Sequence, residues 1–184
     1  MGCAPLENSE PGDGRTIFTG VSLSSVANAG EIEVSAEVVD LTNQELIVAS
    51  DVAVSVETAT PLTVSAEHSE WEMASSRATF TGGVVATRGL FTIECNLLVV
   101  EYSSDGNVES ASATGGVRLT RGDWSGTAGS ASLNLVDGVV TLTGDSLIEG
   151  GGNRLQGSTI RVYMTSERVE CDDCSMVVLT PELD

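Results

Sequence analysis

Lysine is missing from this chain. Its eight basic residues are all arginine, set against 27 acidic residues, which leaves a formal net charge of -19. That balance argues against a nucleic-acid partner, because counterion release needs clustered cations. It also argues against plain electrostatic docking on anionic lipid. A salty habitat or GC-rich codon usage would each produce acidity without lysine. Aromatic residues make up only 4% of the chain, so any core must be built from Val, Leu, Ile and Ala, and rings for stacking on sugars are scarce. No run approaches the roughly eighteen apolar residues that a membrane-spanning helix requires, and no complete signal peptide is expected. No window of a dozen residues keeps a 3.6-residue period, so almost no helix is expected.

What is present is a repeat. AlaThrPheThrGlyGlyVal at 78 to 84, AlaSerAlaThrGlyGlyVal at 111 to 117 and ValThrLeuThrGlyAsp at 140 to 145 are variants of one phrase, with Thr-Gly steps at Gly82, Gly115 and Gly144. Fainter copies stand at PheThrGlyVal, 18 to 21, and at AlaSerAspVal, 49 to 52. About five units of about thirty residues therefore account for nearly the whole chain. Between the phrases the pattern has a period of two. Phe91, Ile93, Cys95 and Leu97 alternate with Thr92, Glu94 and Asn96, and 131 to 135 and 160 to 164 alternate likewise. AspGly at 105 to 106, AspGly at 137 to 138 and GlyGlyGlyAsn at 150 to 153 carry the residues that tight hairpin turns need. Val and Thr dominate the alternating runs, and the fold class is all-β with antiparallel strands.

The 184 residues suffice for one sizeable β domain, placed at 16 to 184. Residues 1 to 15, rich in Pro, Gly and Glu, read as a flexible tether. Gly2-Cys3 matches the junction at which bacterial lipoproteins are cut and acylated, so Cys3 is a candidate lipidation site; an incidental cysteine is the other reading. From Thr16 to Thr60 the alternation is weaker, and two to four strands are expected there, some buried on both faces because their apolar residues run together.

The remaining chemistry-bearing residues give little support to catalysis. His68, the sole histidine, is flanked by Glu67 and Ser69, and successive strand residues point to opposite faces, so these cannot converge as a triad. Acidic pairs such as Asp172-Asp173 are expected by chance in so acidic a chain. Cys171 and Cys174 form a CxxC, which lacks the second pair a zinc site needs and the helix a thioredoxin-like site needs. A disulfide stapling a final hairpin in an oxidising compartment and a pair of reduced bystander thiols both remain open. Neither a metal nor a cofactor is expected, and the chain does not read as an enzyme.

ProLeuThrValSerAlaGlu from Pro61, then Trp71 to Met73, then AlaThrPheThrGlyGlyVal, resembles the OstA-like domains of the LptA and LptC lipopolysaccharide transport proteins. The segment from 142 to 162, LeuThrGlyAspSerLeuIleGlu through IleArgVal, is similar to the close of that family's repeat, and the resemblance spans roughly Thr16 to Val178. It implies an open β-jellyroll folded into a V around a greasy groove. It also implies a periplasmic protein of a Gram-negative bacterium that binds lipopolysaccharide or a related acyl lipid and passes it along a protein bridge without chemistry. Inward Val, Leu, Ile and Phe with outward Ser, Thr, Glu and Asp fit such a trough on physical grounds. The candidate lining is Val34, Val64, Phe91, Ile93, Leu97, Leu133, Leu135, Leu142, Ile160 and Val162. The resemblance further implies head-to-tail pairing with other OstA-like proteins through the edge strands near Ile17 to Leu23 and Glu170 to Leu179. Membrane attachment would be through the N-terminal anchor alone. The same residues could instead close into a filled core, as in a self-assembling β-repeat surface or filament protein; an adhesive β-sandwich is a third reading.

Overall fold

The structure, a computed structural model, describes residues 15–27, 30–42, 46–57, 60–104, 107–166 and 168–178. The proposed lipidation site Cys3 and the turn at 105 to 106 lie outside the described residues. No helix occurs among them. Ten long strands follow one another: β1 (Arg15–Ala27), β2 (Gly30–Thr42), β3 (Leu46–Glu57), β4 (Leu62–Glu72), β5 (Arg77–Arg88), β6 (Phe91–Tyr102), β7 (Val108–Arg121), β8 (Trp124–Asn134), β9 (Val139–Gly150) and β10 (Asn153–Tyr163). Two short ones close the chain, β11 (Val169–Asp172) and β12 (Ser175–Val178). Every strand pairs antiparallel with its neighbour in sequence, in the order β1 to β11, with β12 also on β10. This is the topology that two-residue loops such as Gly89-Leu90, Gly122-Asp123 and Gly151-Gly152 allow.

The Thr-Gly phrase is a kink in the middle of a strand. At Gly82-Gly83 in β5, Gly115-Gly116 in β7 and Gly144-Asp145 in β9, φ is positive at both residues and the ladder register shifts. A Cβ added at Gly82 would collide with the Glu67 side chain, so glycine is required there both by φ and by the close approach. The fainter copies behave alike, with φ of 60° at Gly20 and 48° at Asp51. A sixth kink, at Asp173 between β11 and β12, has φ of 51°. Aligned across the sheet, the kinks form a crease, and every long strand is divided between two walls.

The walls face each other. Leu98, Val100, Ala111, Leu133 and Val140 on the first wall and Leu62, Val64, Ala86, Ile93 and Leu119 on the second line one common cavity. At the crease of β6 the inward step lengthens from two residues to three, so Phe91, Ile93 and Cys95 point inward and Leu98 and Val100 take over. Leu97 therefore leaves the lining. It pairs with Thr81 and Thr114 and does not pack against the core. The run-on apolar residues of β2 and β3 do not mark strands buried on both faces either: Val48 is 40% exposed. A single folded sheet has only one inner face.

The CxxC does not staple a hairpin. β11 pairs with Thr159–Val162 and β12 with Asn153–Gln156, so the two are halves of one bent strand running along β10. The Cys171 and Cys174 sulfurs are bonded across that bend, with Cα atoms 5.9 Å apart. A Cβ on Gly157 would strike the Cys171 sulfur, and glycine at 157 leaves the bridge its room.

Candidate functional site

The space between the walls changes with distance from the crease. Beside the crease the inward residues are Ala49, Val52, Phe80, Val84, Cys95, Ala113, Val117, Ala131, Leu142, Ser146 and Ile160, all buried. Small and branched side chains let the two backbones approach closely. Leu142 Cδ1 on the first wall lies 3.4 Å from where a Cβ at Gly126 on the second would stand. Leu142 and Ile160, both 0% exposed, are packed in the core. Burial also pushes the Cys95 thiol above its ordinary pKa.

Toward the rim some of the inward side chains are less fully buried. Leu62, Ala86, Ile93, Ala111, Leu133, Leu135 and Met164 are half-buried there. They surround a cavity of about 60 Å³ whose lining is almost wholly apolar. A second cavity of about 280 Å³ opens at one mouth, lined by Leu90, Phe91, Leu119, Arg121, Trp124, Ile148, Val162 and Val169 among others. Of the residues expected to line a groove, Val64, Phe91, Ile93, Leu133 and Leu135 line the first cavity, and Phe91 and Val162 the second. Val34 borders a separate concavity of about 270 Å³ lined mainly by Ser, Val and Thr.

Sequence reasoning missed the rim residues Leu62, Leu119, Ile148 and Met164, which carry the same apolar alternation. It also missed an aromatic cluster at the first wall's rim. Trp71 stands edge-on to Phe80 at 5.6 Å and 6.4 Å from Tyr102, and its Nε1 donates to Ser69 Oγ at 3.1 Å. Desolvation raises the Tyr102 hydroxyl's pKa. The outer faces carry exposed ion pairs, Arg118 with Glu94 at 3.9 Å and Arg154 with Glu149 at 3.7 Å, each contributing little. No cluster of His, Cys, Asp and Glu among the described residues is suited to a metal.

A sheet creased along its length, with a filled fold line, an apolar rim and two unjoined edges, is an open β-jellyroll. The solved structure of LptH, the LptA homologous periplasmic component of the lipopolysaccharide transport device of Pseudomonas aeruginosa, has this fold. It matches with a TM-score of 0.61 at 16% identity, over 66% of this chain and 97% of that one. Residues 63–168 match the family model described as LptA/(LptD N-terminal domain) LPS transport protein, and the chain belongs to that family. No curated protein sequence matches it.

Proposed function

We propose that the chain holds the acyl chains of lipopolysaccharide, or of a lipid of the same class, between its two walls and passes the lipid on without chemical change. The observation that carries this reading is the apolar cavity between the rims of the two walls. At about 60 Å³ it has room for only about two water molecules, so an acyl chain must part the rims. Parting them costs little where side chains are already half-exposed, and each methylene buried returns about 0.8 kcal/mol. The crease, filled by its own side chains, serves as the hinge.

Residues 16 to 184 would act as one unit in a periplasmic bridge, anchored through a lipid on Cys3. Handing on cargo needs neighbours, and the outer edges of β1 and of β11 with β12 carry no further strand among the described residues. An unpaired strand edge is a template for another OstA-like protein, and Met176 and Val177 stand exposed on the second edge. The test is a lipopolysaccharide titration followed by tryptophan fluorescence. Saturable quenching that Leu133→Glu abolishes, with the fold intact by circular dichroism, is the expected result. Undiminished binding by that variant would place the lipid elsewhere.

A further inference from the structure

We infer that the row Arg88, Phe91 and Arg121 at the rim of the second wall is a binding site for the phosphate head group of an amphiphile whose acyl chain enters the adjoining cavities. The inference rests on the acyl-carrying reading above. In the ladder, Phe91 is the direct cross-strand partner of Arg88 on one side and of Arg121 on the other. Phe91 is buried and borders both cavities; Arg88 lines the inner one and Arg121 the mouth. The Arg121 guanidinium lies 4.8 Å from the Phe91 ring centroid and donates from Nη1 to the Ser166 carbonyl at 3.1 Å. That bond spans the mouth, from the second wall to the loop after β10.

The charge distribution gives the row its meaning. Arg118, Arg154, Arg161 and Arg168 each pair with a carboxylate. Arg88 and Arg121, like the exposed Arg77, pair with none among the described residues, although acids outnumber bases 27 to 8. Neither cavity has an Asp or Glu in its lining. Arg88 and Arg121 thus set two half-buried arginines beside apolar linings that hold no carboxylate, and an anionic ligand would supply the missing counter-charge. Two guanidiniums on strands about 10 Å apart, with long side chains flanking one ring, suit a multiply charged oxyanion taken by forked hydrogen bonds. The neighbouring Leu119, Ile148 and Val162 suit the acyl chain.

The test is calorimetric titration of the whole chain with dodecyl phosphate, dodecyl maltoside and inorganic phosphate, the amphiphiles held below their micelle-forming concentrations. Dodecyl phosphate is expected to bind about tenfold or more tightly than the maltoside, increasingly so as salt is lowered. The double substitution Arg88→Gln with Arg121→Gln is expected to erase that preference and leave maltoside binding within about twofold. Arg88→Gln alone, which keeps the Arg121 bond across the mouth, is expected to remove part of it. Equal binding of both amphiphiles by the unaltered protein would overturn the head-group site and leave the acyl trough standing. Binding of neither would overturn both. Inorganic phosphate binding as tightly as dodecyl phosphate would make this a free-anion site and sink the amphiphile assignment.

Discussion

Crease and rim are built from the same alternating strands, yet one is a packed interior and the other an unfilled lining. Val84 and Val117 beside the crease are 1% and 2% exposed, while Ile93 and Leu133, each two residues further from the crease than buried Cys95 and Ala131 on the same strands, are half-buried around a void. The residues differ little in chemistry; their distance along the strand from the kink differs. At the kink the chain forces its halves together, and Ala and Val suffice to fill the gap. A few residues away part of the lining is left half-buried around a small cavity. An apolar side chain here is fully buried or half-buried according to its distance from the fold line.

Truncations on either side of that line test the distinction most strongly. Leu142→Ala at the crease should cost about 2–5 kcal/mol by urea denaturation, whereas Leu133→Ala at the rim should cost about 1 kcal/mol or less and weaken lipid uptake. Equal losses would erase the difference between the two zones. Next come the kinks themselves. Gly82→Ala, at φ of 80° with Glu67 in the way, should cost about 2 kcal/mol. Gly116→Ala, at φ of 74° with nothing within 4 Å of the new Cβ, should cost about half that. If the order reverses, the crease is not held by close approach.

A smaller effect should follow pH. Burial holds the Cys95 proton on to higher pH than in the unfolded chain, so the folded state binds more protons there and stability declines as pH rises. The decline should begin at about pH 8.5, where the unfolded thiol ionises, at up to about 1.4 kcal/mol per pH unit. It should continue until the folded thiol titrates and vanish in Cys95→Ala, read from denaturation midpoints. Tyr102 at the rim should add a similar decline only above about pH 10. The smallest change is Ser146→Ala. The Ser146 hydroxyl is wholly buried without a hydrogen-bond partner, so removing it should stabilise by up to about 1 kcal/mol in a thermal melt. A loss instead would show that the crease is less tightly packed than its burial indicates.

Much of this was legible because β structure writes its period into the chain. Alternation located the strands, and the Thr-Gly phrases, read in the sequence only as a repeat, coincide with all but the last of the kinks, including the faint copies at Gly20 and Asp51. The final kink escaped notice because cysteines and aspartates stand where the earlier units have Thr and Gly. Of the candidate lining, Val64, Phe91, Ile93, Leu133 and Leu135 border the cavity between the walls, which leaves their role in holding a lipid to the titration proposed above. Leu97 was misplaced because a strict period of two cannot register an inward step of three. Leu142 and Ile160 were misplaced because alternation reports the face of a sheet and not how near the opposite face lies.

Sequence alone thus determined the all-β class, the repeat and the hairpin order. These depend on neighbours a few residues apart and on composition. Only the tertiary structure decided which apolar residues meet and which leave a gap, that the CxxC bridges a bend along an edge, and that Arg88 and Arg121 flank one ring. Those outcomes depend on where a kinked sheet brings distant segments together, and no local pattern in the chain encodes that separation.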